Sequence, residues 1–217
     1  MSVPVMYSIL VTVCLIFVKI SEYYRRNRRL SDFFWYLTVT ILILVMGLRA
    51  PGVGVDDLNY LNMYNLANNV GITDYYQIKN TEIGYYFLNR IVGLLFNNYQ
   101  VLIFIVSFVI VFFNMEALRY RNSGKYLTFS VFIFLCISYL YYIGLNRIGI
   151  AIAIISYSYK FIIEGNNKKF VYFVLIASTF HYSSLIVLFL LFEKKEDSIT
   201  RVVIKNFFYI FIGFLSI

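Results

Sequence analysis

Residues 101–125 read VLIFIVSFVIVFFNMEALRYRNSGK, an apolar run over 101–115 that gives way within a few residues to Arg119, Arg121 and Lys125. At ~1.5 Å of rise per residue, such a run with its interfacial ends crosses the ~30 Å core of a bilayer, and the basic break marks where it leaves. Further apolar runs fall at 3–20, 33–48, 127–145, 148–163 and 170–192, and a last one opens at Phe207 and stops at Ile217. The whole chain of 217 residues is 61% apolar and 14% charged, with a mean hydropathy of +0.75. Soluble domains carry roughly 45–50% apolar and about 25% charged residues, which excludes most of them here. The predicted fold is therefore all-α, a polytopic transmembrane bundle of about six spans or re-entrant segments plus a partial last one. Residues 1–217 form a single integral membrane domain in this reading. The short terminal run predicts that the chain is the N-terminal portion of a longer protein.

The formal charge of +8, from 19 Lys and Arg against 11 Asp and Glu, is a topology signal and not a nucleic-acid signal. The break at 23–30 holds Arg25, Arg26, Arg28 and Arg29 beside Lys19, and the break at 119–125 holds Arg119, Arg121 and Lys125. The break at 164–169 holds Lys168 and Lys169, with Lys160 just inside. Placing all three in the cytoplasm sets the N-terminus outside, together with residues 49–100 and the tight turn before Arg147. Residues 1–20 lack a basic leading region and a small-residue cleavage pattern, so they read as a retained first span. Cys14 and Cys136 lie inside apolar runs and read as small hydrophobes, not as disulfide partners or metal ligands.

One loop departs from this frame. If 170–192 crosses once, Lys194, Lys195, Arg201 and Lys205 fall outside, against the charge rule, and Glu193, Glu196 and Asp197 do not offset them. A re-entrant hairpin with its tip near His181 to Ser184 would return them to the cytoplasm, and both paths stay open at this point. The outer segment 49–100 is too long for a structureless connection. Helices are expected over 57–68 and 81–96, lying at or dipping into the interface, the second capped by Thr81 and carrying Tyr85, Tyr86, Leu88, Val92 and Leu95 on its apolar side.

No phosphate-binding loop, dinucleotide fingerprint, zinc-protease helix, Cys-x-x-Cys pair or nucleophile elbow occurs, so neither a cofactor nor a metal is expected. The adjacent Asp56 and Asp57 lack the spacer that metal-binding nucleotide-sugar transferases show. The remaining candidates are ionisable residues on the outer face or in the membrane: Arg49 at the end of the second span, Asp56, Asp57, Asp74 and Glu82 after it, Arg147, and the single histidine, His181. A polar ring in mid-membrane is costly unless it faces a cavity or a partner. Ala177, His181 and Ser184 share a helical face, as do Gly149, Ala153 and Ser156 on the neighbouring run, and small faces of this kind frame close approaches. Plainer readings stand beside these. Arg49 and Arg147 would also serve as interfacial anchors, His181 as an interhelical hydrogen-bonder, and Asp57, Asp74, Lys79 and Arg90 as solvated loop charges. Most of the 21 tyrosines and 22 phenylalanines are lipid-facing bulk.

The stretch Gly47-Leu48-Arg49-Ala50-Pro51-Gly52-Val53-Gly54-Val55-Asp56, running on to Tyr60 and Tyr64, resembles the signature of the EpsG-like family of exopolysaccharide and O-antigen (Wzy-type) polymerases. Three further features occur in that family's order: Glu82-x-Gly84-Tyr85 before an apolar helix, Arg147 opening a span with Ala151 and Ala153 behind it, and Phe180-His181-x-Ser183 after a basic break. Members are usually longer, and many carry Arg-Gln where this chain has Arg147-Ile148. The resemblance implies a multi-pass glycosyltransferase of the bacterial cytoplasmic membrane that joins undecaprenyl-diphosphate-linked oligosaccharide repeat units at the outer face, for O-antigen, capsule or exopolysaccharide. It implies a chain-length regulator and a repeat-unit flippase as possible partners. For that chemistry Arg49 and Arg147 are the diphosphate-binding candidates, since guanidinium forks suit a developing polyanion. His181, Glu82 and Asp56 are the candidate bases, His181 first. Tyr60 and Tyr85 are the candidate sugar-stacking rings. The alternatives are an acyltransferase modifying a surface polysaccharide, a lipid-linked sugar flippase, or a noncatalytic membrane subunit.

Overall fold

Single polar residues set several of the helix boundaries. In the computed structural model, which describes residues 3–69, 81–122 and 126–191, α1 (Val3–Tyr23) and α2 (Arg28–Gly47) flank a basic turn whose Asn27 side chain caps α2 by accepting the Leu30 N–H at 3.4 Å. After a loop come α3 (Asp57–Asn69) and α4 (Ile83–Phe96). Asn97, in the left-handed region at φ 46°, ends α4, and Asn98 accepts the Gln100 N–H at 2.8 Å to open α5 (Tyr99–Arg121). Asparagine tolerates the left-handed region and caps well, so two in a row turn the chain sharply. The next run is continuous from α6 (Leu127–Ile133) through a π-helical segment (Phe134–Tyr139) to α7 (Leu140–Gly144). It leads into α8 (Asn146–Ile163), α9 (Asn167–Phe180) and a 3-10 segment (Tyr182–Leu191). No strand occurs among the described residues, in agreement with the predicted all-α bundle.

α5 is the central helix, packed on α2, α4, α6 and α8. Its Leu102, Ile103, Val106, Ile110, Val111 and Met115 are buried at helical spacing, facing Trp35, Val39, Leu42 and Met46 of α2 on one side. Lipid is as apolar as leucine, so close packing and buried polar pairs hold the helices together where hydrophobic exclusion does not. The outward residues are apolar too, among them Ile9, Ile16, Phe108 and Leu175. At the end carrying the arginine-rich turn, Ser21 and Ser31 exchange hydroxyl-to-carbonyl bonds of 2.8 and 2.9 Å between α1 and α2, and the Trp35 Nε1–H donates to Glu116 at 3.1 Å.

Four runs are long and apolar enough to cross a membrane: Pro4–Tyr23, Arg28–Gly47, Tyr99–Arg121 and Leu127–Gly144. α8 and the run through α9 are the other two expected segments, and each departs from a plain span. α8 carries Arg147 and Lys160 within it. The run expected over 170–192 breaks at His181, whose backbone is extended (φ −156°, ψ 113°). Beyond it Ile186 and Val187 share one cavity wall with Ile152 and Ile155, about two turns into α8, so the chain turns back along the bundle after His181. The described part of this course runs as the re-entrant path expects, and the basic loop that follows lies outside the described residues.

The outer helices lie close to the expected positions with different surroundings. α3 and α4 pack on each other, and α4 also packs on α5 and α9, so it is a part of the bundle. Tyr85, Tyr86 and Val92 are buried as expected, whereas Leu95 is 70% exposed and Asn89 takes a buried place. The N-cap of α4 is Glu82, not Thr81. Two expected solvated charges are neither free nor solvated. Asp57 is fully buried, and Arg90 donates to the Ala67 and Asn68 carbonyls at 3.0 and 2.8 Å, closing the C-terminal end of α3 with a cation. Asp74, Lys79, the basic loop after Glu193 and the terminal run lie outside the described residues.

Candidate functional site

Arg49, two residues past the end of α2, is the structural centre of the bundle end opposite the arginine-rich turn. Its Nη2 lies 3.0 Å from Asp57 Oδ1 and its Nε 3.4 Å from Oδ2, a forked pair with side chains 6% and 0% exposed. The other donors reach the Met46 carbonyl (2.8 Å), Ser107 Oγ (3.4 Å), the Ile143 carbonyl (2.9 Å) and Asn146 Oδ1 (3.3 Å). All three guanidinium nitrogens are thus engaged with the protein interior. Asp57 is held in turn by the Gly54 N–H at 2.9 Å, and the Tyr99 hydroxyl donates to the Asp57 carbonyl at 3.2 Å. Gln100 donates to the Gly47 and Arg49 carbonyls at 2.7 and 3.1 Å.

The glycines of the Gly52-Val53-Gly54 turn fit the backbone path. Gly52 has φ 93°, and a Cβ at Gly54 would sit 2.5 Å from the Ile143 carbonyl oxygen, so the loop is pressed on the end of α7. One buried arginine therefore ties together the end of α2, the start of α3 and the α7–α8 elbow.

That elbow and that helix carry the next shell. Arg147, the second residue of α8, pairs through Nη1 with Glu82 Oε2. Glu82 Oε1 lies 3.2 Å from His181 Nδ1. Glu82 and His181 are 99 residues apart in sequence and meet because α4 approaches α9 closely: a Cβ on Gly84 would lie 2.8 Å from the Thr179 carbonyl oxygen and overlap its hydroxyl. Tyr60, one turn into α3, is a hydrogen-bond partner of Arg147 and stands edge-on to Tyr85 at 5.5 Å between ring centroids.

Burial separates the two layers. The side chains of Arg147 and His181 are 23% and 25% exposed and that of Glu82 is 10% exposed, whereas the Arg49–Asp57 pair is sealed. Tyr60 and Tyr85, expected to stack on sugars, are 3% and 0% exposed and form the wall behind Arg147. Asp56 is half-buried, bonded at 3.5 Å to Asn59 and an electrostatic neighbour of Tyr60 at the rim.

The chemistry of the open layer follows from Glu82. Burial alone would raise its carboxyl, but the His181 hydrogen bond and the Arg147 charge outweigh that and hold it below the ordinary carboxylate range. A carboxylate only accepts, so in neutral His181 the proton sits on Nδ1 and Nε2 keeps a lone pair. Next to His181 lies a cavity of about 300 Å³, walled by Ile148, Ala151, Ile152 and Ile155 of α8 and by Tyr182, Ser183, Ser184, Ile186 and Val187. It is apolar except at the His181 and serine end. No group of three or more His, Cys, Asp and Glu side chains suited to a metal occurs among the described residues.

Sequence reading named Arg49, Glu82, Arg147 and His181 and missed the residues that hold them. Asp57, read from sequence as a solvated loop charge, is the buried partner of Arg49, and only the start of α3 decides whether it or Asp56 faces inward. Ser107 and Asn146 carry no signal beyond being polar in an apolar run, which is itself a usable one.

No curated protein and no solved structure matches this chain. The family model of the EpsG family matches residues 32–217, which takes in every residue of the site just described. With a match over most of its length, the chain, a helical membrane bundle, belongs to the EpsG family.

Proposed function

We propose that this chain is a membrane glycosyltransferase of the polysaccharide polymerase type, joining undecaprenyl-diphosphate-linked oligosaccharide repeat units at the outer face of the bacterial cytoplasmic membrane. The observation that carries the reading is Glu82 set between Arg147 and His181, beside an apolar cavity inside a membrane bundle. In the proposed step an acceptor sugar hydroxyl attacks the anomeric carbon of the donor glycan. A new C–O bond forms as the bond from that carbon to the diphosphate oxygen breaks. The electron pair leaves on the lipid diphosphate, and the hydroxyl proton passes to His181 Nε2.

Each group has a physical task. Glu82 orients the imidazole and stabilises the imidazolium that forms, as a carboxylate behind a histidine base does. Arg147 meets the charge growing on the diphosphate, and five donors let one guanidinium hold a carboxylate and still donate to phosphate oxygens. The apolar cavity takes the first isoprene units of the lipid, placing the diphosphate at its polar end. Arg49, sealed on Asp57, acts in this reading through the elbow that carries Arg147. Tyr60 and Tyr85 fix the Arg147 fork from behind, and Asp56 contributes charge at the rim. O-antigen, capsule and exopolysaccharide all fit this chemistry.

Polymer length on a gel from cells carrying Arg147→Ala, Glu82→Gln or His181→Ala tests the reading. The expected result is accumulation of single repeat units on the lipid at the outer face. Repeat units held inside would point to a flippase, and normal-length polymer lacking a substituent would point to an acyltransferase.

A further inference from the structure

At the opposite end of the bundle a polar cavity of about 410 Å³ lies between the end of α1, the start of α2, the end of α5 and the start of α6. Its charged lining is Glu22, Arg25, Arg28, Asp32 and Arg119. The acids are already committed. Glu22 accepts the Thr128 N–H at 3.1 Å, the Thr128 hydroxyl at 2.6 Å and Lys19 at 3.3 Å. Asp32 pairs with Arg119, whose guanidinium also stacks over Trp35 at 5.3 Å and Tyr36 at 5.7 Å. The lining serines, Ser21 and Ser31, spend their hydroxyls on each other's carbonyls. The side chains of Arg25 and Arg28 have no hydrogen-bond or ion-pair partner among the described residues. Two guanidiniums thus face a cavity whose carboxylates already have partners of their own.

We propose that this cavity binds the phosphodiester headgroup of an anionic phospholipid from the leaflet at that end. Two guanidinium forks match the oxygens of one phosphodiester, and nothing in the lining competes for them. The cavity has room for a glycerol beside the phosphate. It sits at the ends of α1, α2 and α5, at headgroup depth, where basic pockets between helices take acidic lipids. The acyl chains have an apolar path beside it, since Leu30, Phe33 and Tyr36 of α2 are 40%, 60% and 44% exposed. A freely soluble phosphate would have no use for that path. The proposal is independent of the reaction at the other end.

The turn supplies its own control, because Arg26 and Arg29 carry the same charge and do not line the cavity. The protein is purified in mild detergent and offered phosphatidylglycerol or phosphatidylcholine, and bound lipid is read by native mass spectrometry. Wild type and the Arg26→Gln/Arg29→Gln variant retain phosphatidylglycerol and not phosphatidylcholine. The Arg25→Gln/Arg28→Gln variant retains about tenfold less or worse, as expected for loss of charge-assisted bonds. If that variant does not purify, Arg28→Gln alone is read in the same way. Equal loss in both double variants, or equal retention of phosphatidylcholine, overturns the proposal. So does thermal stabilisation of wild type by inorganic phosphate or glycerol phosphate, lost in Arg25→Gln/Arg28→Gln, without any stabilisation by phosphatidylglycerol.

Discussion

Asp57 closes on Arg49 from the first turn of α3, one carboxylate oxygen 3.0 Å from Nη2 and the other 3.4 Å from Nε, with both side chains out of solvent. Removing one member of such a pair strands the other, whereas replacing both with apolar residues removes the need for either. Asp57→Asn is therefore expected to lower stability by about 3–5 kcal/mol. The double change Arg49→Met/Asp57→Leu should cost less than Asp57→Asn alone in thermal unfolding in detergent. The double variant nonetheless loses polymer, because the carbonyl of Ile143 and the amide of Asn146 lose the donor that sets the elbow before Arg147.

Gly84 is predicted to admit no side chain. Its Cβ would lie 2.8 Å from the Thr179 carbonyl, backbone that yields only if α4 moves off α9, and Glu82 would move with it. Gly84→Ala should cost about 1–3 kcal/mol, the usual range for overpacking. Thr179→Ala removes the hydroxyl and leaves the carbonyl, so the combination restores only part of the stability and part of the polymer length.

The state of Glu82 gives a pH prediction with a definite sign. Its carboxyl is held below the ordinary value of 4.5 in the folded protein. A depressed acid stabilises the fold above its unfolded value, and that contribution disappears as pH falls through the folded one. Wild type should thus lose stability relative to Glu82→Gln as pH drops below the ordinary carboxylate range. Melting temperatures of both proteins across that range provide the check.

Arg147→Lys keeps a charge and loses the fork. If the fork is what meets the diphosphate, turnover of lipid-linked repeat units should fall about 100-fold, the usual cost of removing one oriented donor from a developing anion. Melting temperature should move little, since the lysine still reaches Glu82.

Much of the frame was legible in the chain, and the reasons are local. The Asn97-Asn98 and Gly165-Asn166 pairs stop one helix and cap the next, the apolar run at 33–48 ends one residue past α2, and that at 101–115 falls within α5. The π-helical turn at Phe134–Tyr139 left no mark, because it alters hydrogen-bond register and not apolarity. The break at His181 was visible as a polar residue in an apolar run and in the basic loop that a single crossing would put on the wrong side, and its direction depends on α8, which supplies the wall the chain folds onto. Within the site, Glu82 and His181 were each nameable, but their meeting rests on the α4–α9 approach at Gly84, a contact no spacing encodes. Asp57 was hidden by its neighbour Asp56, since adjacent residues differ by about 100° around a helix and sequence alone did not fix the phase.

In the proposed reaction Glu82 and His181 act as one unit at the open face of the site. Polymer formation by purified protein supplied with lipid-linked repeat units, measured for His181→Ala, Glu82→Gln and the double variant, tests that most directly. Groups that act together lose together, so each single change should cut the rate by about 100-fold or more and the double should be no slower than the worse single. Multiplying losses, or full-length polymer at the normal rate from His181→Ala, would contradict it.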